Sequence, residues 1–497
     1  MADAIIATQD ESPERRMDAH QTNGKGKPRG VGTVALVVTV IAWLGPLSGA
    51  AGYAPLVIGF GNGLGAPLMF LAVGLVLIIF SIGYMSMVRQ VPRPGAFYAY
   101  VSAGLGKRVG LGAGVLTTMN YLFGALGYYF YGGVATQTLI KNDFGIDLPW
   151  WAYAFGYLVV VTLCSYRGMA FNARILGVIV GLEVLIIMIF NVATIFRGGP
   201  TGYPTEPFTW DAFTSGPIAV AALFAISLYA GFESTAIYRD EARNPARTIP
   251  RATYLVVIAI SVFYALTVWC LIVALGTDKV VAATAADSTG AFTTALTYSV
   301  GHSLAEVVTV LLITSILAGQ ISIANASTRY LHSFGVDRVL PRTLAAVHKR
   351  HGSPHRAAIA NSALATASVV VFLIAGTDPQ EVYAVFNGVA VFGFEAMWLL
   401  VSLAVFVYFR RNRDTGEPMW KVVVAPVISV ACFGWLLYYS ASHADLLLGR
   451  PTPLVPILFG VVGLAFVSGL GYASWMSLRR PEGFQRIGRD VVDSQER

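Results

Sequence analysis

The sequence predicts an all-α membrane protein of about twelve transmembrane helices, and three observations lead there. Of 497 residues, 56% are hydrophobic and only 12% are charged, against the roughly 25% charged of a soluble domain. The apolar residues form long runs along the whole chain, such as 31–44, 67–88 and 178–196, and most approach the roughly 20 residues that cross a bilayer. Lys and Arg, finally, are segregated in alternate loops.

Twelve spans are read, near 31–60, 66–90, 110–139, 149–166, 172–196, 216–238, 252–276, 304–330, 357–376, 382–409, 422–441 and 454–478. With the N-terminus cytoplasmic, thirty of the 34 Lys and Arg residues fall on the cytoplasmic side, and only Lys141, Arg197, Lys279 and Arg450 fall outside. The positive-inside rule therefore predicts cytoplasmic N- and C-termini. The net charge of +7 is a topology signal, and no soluble basic surface for nucleic acid is expected. Residues 1–30, polar and charged, read as a disordered cytoplasmic tail with no cleavable leader, and 481–497 as a C-terminal cytoplasmic tail. Cys164, Cys270 and Cys432 lie in apolar runs and read as inert thiols.

Two spans contain glycine where a membrane helix should be smooth. Span 1 is interrupted at Gly45-Pro46-Leu47-Ser48-Gly49-Ala50-Ala51-Gly52, and span 6 at Tyr229-Ala230-Gly231-Phe232-Glu233. Freed backbone groups at membrane depth are tolerated only where they face protein or a cavity. The two interruptions sit at corresponding depths, five spans apart. Such pairing points to a secondary transporter made of two inverted five-helix repeats, here 31–200 and 201–410, with spans 11 and 12 (411–480) appended. The alternative is close helix packing by small residues.

The segment Phe224 to Glu233, followed by Asp240-Glu241-Ala242-Arg243-Asn244-Pro245-Ala246-Arg247-Thr248-Ile249-Pro250-Arg251-Ala252, resembles the sixth-helix signature of the amino acid–polyamine–organocation (APC) permeases. Arg329-Tyr330-Leu331-His332-Ser333-Phe334-Gly335-Val336-Asp337-Arg338-Val339-Leu340-Pro341 is similar to that family's stretch after helix 8. Pro94-Gly95-Ala96-Phe97-Tyr98-Ala99-Tyr100 resembles its entry to helix 3. The resemblance covers about 31–480 and implies a LeuT-type fold with uptake or exchange of amino acids or related amines. In span 1 members often read G-S/T-G-I-F, and this chain departs from that with Gly45 to Ala50.

A zwitterion at the membrane midplane needs N–H donors at a helix N-terminus and carbonyls at a helix C-terminus. Ser48, Gly49 and Ala50 are expected to offer the donors, and Tyr229 and Ala230 the carbonyls. Gly49 and Gly231 permit close approach, and Pro46 removes a donor beside Gly45. Phe232 is a candidate aromatic lid or a lipid-facing ring. Glu233 is either a substrate or coupling acid or a structural acid satisfying N–H groups of the break. Asn120 is a candidate substrate contact or interhelical polar contact. The Tyr128-Tyr129-Phe130-Tyr131 cluster reads as an interfacial belt.

Glu183 lies ten residues after Ala173, where the resemblance places a proton-coupling lysine in cationic-amino-acid members. Its expected neighbours are Thr314 and Ser315 of span 8. A buried carboxyl can exchange protons near neutrality, so proton coupling is the favoured expectation and sodium coupling the alternative. A structural Glu183 bonded to span 8 is a third reading. Glu395 in span 10 is a further acid at membrane depth. Three acids without a fixed cation tilt the expectation toward amine-bearing or cationic substrates.

No Walker A motif is present, no cofactor is expected beyond the coupling ion, and no enzyme activity is expected. His348, His351 and His355 sit in a basic loop and read as solvated rather than metal-binding. The partners are a small amino acid or amine and the lipid bilayer, in the plasma membrane of a bacterium. Sequence leaves open uptake, exchange, a substrate sensor and the oligomeric state.

Overall fold

The computed structural model describes residues 31–91, 96–443 and 455–487. The predicted tail 1–30, Pro94, Gly95, Arg450 and residues 488–497 lie outside the described residues. Among those described there is no strand, only an isolated bridge pairing Val31 with Ala242.

Every predicted span is helical. Span 1 is α1 (Thr33–Leu44) followed by α2 (46–62), which mixes α turns with the π turns Gly49–Tyr53 and Val57–Asn62. Span 2 is α3 (Ala66–Gln90). A short helix, α4 (Ala96–Leu105), precedes span 3, which is α5 (Lys107–Phe144). Spans 4 and 5 are α6 (Trp150–Arg167) and α7 (Met169–Arg197). Span 6 is α8 (Ile218–Ser227) with the 3₁₀ segment Phe232–Glu241, and span 7 is α9 (Pro245–Leu275). Then come α10 (Val280–Ala286) and α11 (Ser288–Val300), and span 8 as α12 (His302–Val336). Spans 9 to 12 are α13 (His355–Ile374), α14 (Pro379–Arg411), α15 (Ala425–Ser442) and α16 (Val455–Arg479), ending in α17 (Pro481–Arg486). Among the described residues, ten helical stretches are long and apolar enough to cross a membrane. The first, Thr33–Gln90, contains spans 1 and 2, and α6 is a helix outside the ten.

Both glycine interruptions are real backbone breaks. Gly45 takes φ +54° and ends α1, and Pro46 opens α2 at its first position, where its missing N–H costs nothing. At the second break α8 stops at Ser227, Gly231 takes φ +108°, and the chain resumes as 3₁₀. Span 6 is read as one interrupted span over 216–238. The left-handed Gly231 redirects the chain into a tighter coil whose carboxyl end meets Arg329.

Several shorter helices lie outside the predicted spans, three of them packed against the bundle. The α4 segment is apolar but only ten residues long, and Gly106 at φ +93° separates it from α5. α10 and α11 cover α2: Gly59 lies so close to their backbone that a Cβ there would stand 2.6 Å from Ala285 N.

Phe232 is neither lid nor lipid contact. It is fully buried between Phe80 and Trp398, each at a ring separation of 5.9 Å, and Trp398 continues to Phe433 at 5.5 Å. Each such ring pair contributes about 0.5–1.5 kcal/mol beyond area burial.

Candidate functional site

The two breaks face one cavity. Ser48 and Gly49 of α2, and Ser227, Leu228 and Ala230 around the second break, line it from opposite sides. Gly124, Tyr128 and Tyr131 of α5, and Tyr383, Asn387, Ala390 and Phe394 of α14, complete most of the wall with Trp43 and Tyr53. It holds about 70 Å³ of open space, enough for a few waters. A second cavity of about 490 Å³ adjoins it through the shared Ser48, Tyr131 and Tyr383, and runs toward Thr138, Leu139 and Gln380. Between the two, the Tyr53 hydroxyl lies 3.1 Å from that of Tyr383, and the Tyr131 ring stacks on Tyr383 at 4.9 Å. No charged residue lines either cavity among the described residues.

The opposite end of the cavity is closed by rings. Trp43 packs edge-on to Tyr121 at 5.0 Å and to Phe394 at 6.0 Å. Farther along, Arg329 Nε donates to Glu241 Oε1 at 2.7 Å, and its guanidinium covers Tyr238 at 4.6 Å. The Glu241 carbonyl accepts the Val31 N–H at 2.7 Å. The start of α1, the end of the 3₁₀ segment and α12 are thus tied together at the face that carries most of the Lys and Arg.

The donors at the first break differ from those expected. Because α2 restarts at Pro46, the Gly49 N–H already reaches Gly45 O at 2.7 Å, and Ala50 is buried outside the cavity wall. The N–H groups freed at this end are those of Leu47 and Ser48, and both have partners. Leu47 N donates to Glu183 Oε2 at 3.1 Å, and Ser48 N donates to Ser315 Oγ at 3.3 Å. Ser315 Oγ donates to the same Glu183 oxygen at 2.9 Å. Glu183 therefore bridges α2 and α12 from α7, with its Oε1 buried and unpartnered. A carboxylate here lies against the positive end of the helix. Thr314 is not part of this bridge, since its hydroxyl donates to Leu311 O within its own helix at 2.9 Å. Gly45 packs beside Ser315 Oγ, and Pro46 O accepts the Tyr264 hydroxyl at 3.3 Å.

At the second break, Tyr229 O is not a free carbonyl, because it accepts the Phe232 N–H at 3.1 Å. The Tyr229 side chain is buried outside the cavity wall, donating to Phe70 O at 2.7 Å. Gly231 is covered by Trp43, whose Cδ2 and Cε3 would lie 2.6 Å from a Cβ there. Glu233 is 1% exposed and does not line the cavity. One oxygen accepts the Tyr121 hydroxyl at 2.9 Å and the other the Gly231 N–H at 3.0 Å. That is the geometry of an acid satisfying its own break.

Asn120 is fully buried against Gly393, where a Cβ would collide with it, and its amide atoms have no protein partner. Glu395 is fully buried between α14 and α15, with Oε1 accepting from Ser440 at 3.0 Å and Oε2 unpartnered. Neither reaches the cavity. Tyr128 and Tyr131, expected in an interfacial belt, line it instead. A sign of this lies in the sequence: Gly124, Tyr128 and Tyr131 share one helical face, as do Tyr383, Asn387, Ala390 and Phe394. Asn387 is a lone amide within an apolar run.

A profile of the family described as amino acid permease matches residues 51–449. The chain is 26% identical to a branched-chain amino acid permease of Lactococcus lactis, over 75% of this chain and 80% of that one. It is 26% identical to the lysine-specific permease of Escherichia coli, over 70% and 72% respectively. It is 25% identical to a low-affinity putrescine importer of Escherichia coli over 37% of this chain and 41% of that protein.

Proposed function

Because the chain belongs to the amino acid permease family, within the APC superfamily, we propose that it is a secondary active transporter of amino acids or related amines. It works in this reading by alternating access in the plasma membrane of a bacterium. The observation that carries the reading is the convergence of both broken helices on one buried cavity. Its relatives are named for branched-chain amino acids, lysine and putrescine, and that range bounds the expectation for this chain.

Spans 1–5 and 6–10 act as inverted halves, with the breaks of spans 1 and 6 at their interface. The excess of basic residues supports a cytoplasmic position for the Arg329–Glu241 face. The larger cavity is then the external vestibule, and the ring layer below Trp43 with the Arg329 tie is the closed cytoplasmic side.

Glu183 is the coupling group. Charged, it holds the N-terminus of α2 to α7 and α12 through Leu47 N and Ser315 Oγ. A proton on it removes the charge that this helix end favours and loosens the tie, so proton occupancy and the position of span 1 are linked. The unpartnered Oε1 is where the proton is taken.

Counterflow in proteoliposomes tests the transport claim. Vesicles loaded with unlabelled substrate should draw in labelled substrate transiently. Binding without counterflow identifies a substrate sensor and removes the transport reading.

A further inference from the structure

Resting on that transport reading, we infer that the site selects amino acids with uncharged, apolar side chains and rejects substrates carrying a second positive charge. The sequence tilted the other way, because three acids lie at membrane depth. None of them reaches the cavity. Glu183 is engaged by Leu47 N and Ser315 Oγ, Glu233 by Tyr121 and Gly231 N, and Glu395 by Ser440. All three are at most 1% exposed. The wall that remains is built largely from the rings of Trp43, Tyr53, Tyr128, Tyr131, Tyr383 and Phe394.

Aromatic rings can hold a cation over their faces, but this arrangement spends several of those faces. Tyr131 and Tyr383 cover each other at 4.9 Å and 29°, and Trp43 is held edge-on by Tyr121 and Phe394. The polar groups left in the wall, Ser48, Ser227, Asn387 and the tyrosine hydroxyls, are neutral. They suit a zwitterion, whose charges compensate one another, with its side chain against rings and aliphatic groups. A second ammonium at this depth has no counter-charge among the described residues. Translocon-scale costs for a lone basic group in the membrane interior correspond to a discrimination on the order of 100-fold.

The test uses the full chain in proteoliposomes, with counterflow of labelled leucine and unlabelled phenylalanine, valine, lysine, arginine or putrescine as competitors. Phenylalanine and valine should compete, and lysine, arginine and putrescine should need about 100-fold higher concentration. Lysine or putrescine competing within about tenfold of valine overturns the inference and leaves the transport reading intact. If leucine is silent, labelled lysine and putrescine are run in its place. Exchange of either again overturns the selectivity alone, whereas silence of every probe overturns the transport reading beneath it. Asn387→Asp puts a carboxylate into the wall and should bring lysine within about tenfold of leucine. A variant that folds, still exchanges leucine and gains no affinity for lysine removes this cavity as the selecting site.

Discussion

Gly231 is the tightest test of how the second break is built. Gly231→Ala asks an L-residue to hold φ +108°, which costs roughly 1–2 kcal/mol. It also drives a methyl group into the Trp43 indole, whose Cδ2 and Cε3 lie 2.6 Å from the added carbon. Tyr121 at 5.0 Å and Phe394 at 6.0 Å back Trp43 on the protein side. Overpacking of that kind costs about 1–3 kcal/mol, so the loss of stability should be about 2–5 kcal/mol. Any rotation of the indole enters the cavity it lines, so substrate affinity should fall as well. Denaturant unfolding in micelles, followed by tryptophan fluorescence, measures the first effect, and the counterflow KM measures the second. Gly434→Ala is the control: it sits within α15 with open space around it, and should be neutral or stabilising by up to about 1 kcal/mol. A Gly231→Ala protein as stable as that control, with an unchanged KM, would refute the packing described for the break.

Other expectations follow from the same contacts. Ser315→Ala leaves Ser48 N without its partner and Glu183 with one donor fewer, at about 1–3 kcal/mol; it should slow gradient-driven uptake, whereas Thr314→Ala should stay near wild type, and the reverse order would misplace the coupling site. Tyr121→Phe removes the donor to Glu233 Oε1 and should cost about 1–3 kcal/mol of stability with little change in substrate KM, since neither residue lines the cavity. In the α12–α13 loop, the His348 Nδ1 accepts the N–H groups of Arg350 and His351 at 3.2 Å each, and its ring stacks on His351 at 4.6 Å and meets His355 at 5.4 Å. Desolvation, then the neighbouring His348, Arg350 and Arg167, hold His351 below its ordinary value, so the unfolded loop binds more protons and the folded loop is weakened slightly as pH falls below the ordinary histidine range. Hydrogen exchange at residues 348–355, corrected for intrinsic rates, should show modestly weaker protection at about pH 5 than at about pH 8, and protection that rises as pH falls would contradict this.

The helical spans were legible because hydropathy is a property of whole spans. Both breaks were legible because Gly45, Pro46 and Gly231 announce themselves in apolar runs. What the sequence could not report was direction. Glu233 and Glu395 stand at membrane depth, but which way each carboxyl turns depends on Tyr121 and Ser440, more than 40 residues distant in each case. The restart of α2 at Pro46 moved the donors from Ser48–Ala50 to Leu47 and Ser48, a shift of register that composition does not encode. Tyr128, Tyr131 and Tyr383 were misread or passed over because a tyrosine in a membrane helix satisfies either an interface or a cavity, and only the packing of α5 against α14 distinguishes them. Glu183 meets Ser315, while Thr314, its neighbour in sequence, bonds within its own helix because adjacent helical residues point about 100° apart.

The central claim is that Glu183 links proton occupancy to the state of the broken first helix. It is tested most directly by Glu183→Gln in proteoliposomes carrying an imposed pH gradient. The amide keeps the shape and an acceptor for Leu47 N but cannot titrate. Accumulation of labelled substrate against its gradient should be abolished while counterflow persists. Undiminished accumulation by Glu183→Gln would contradict the account.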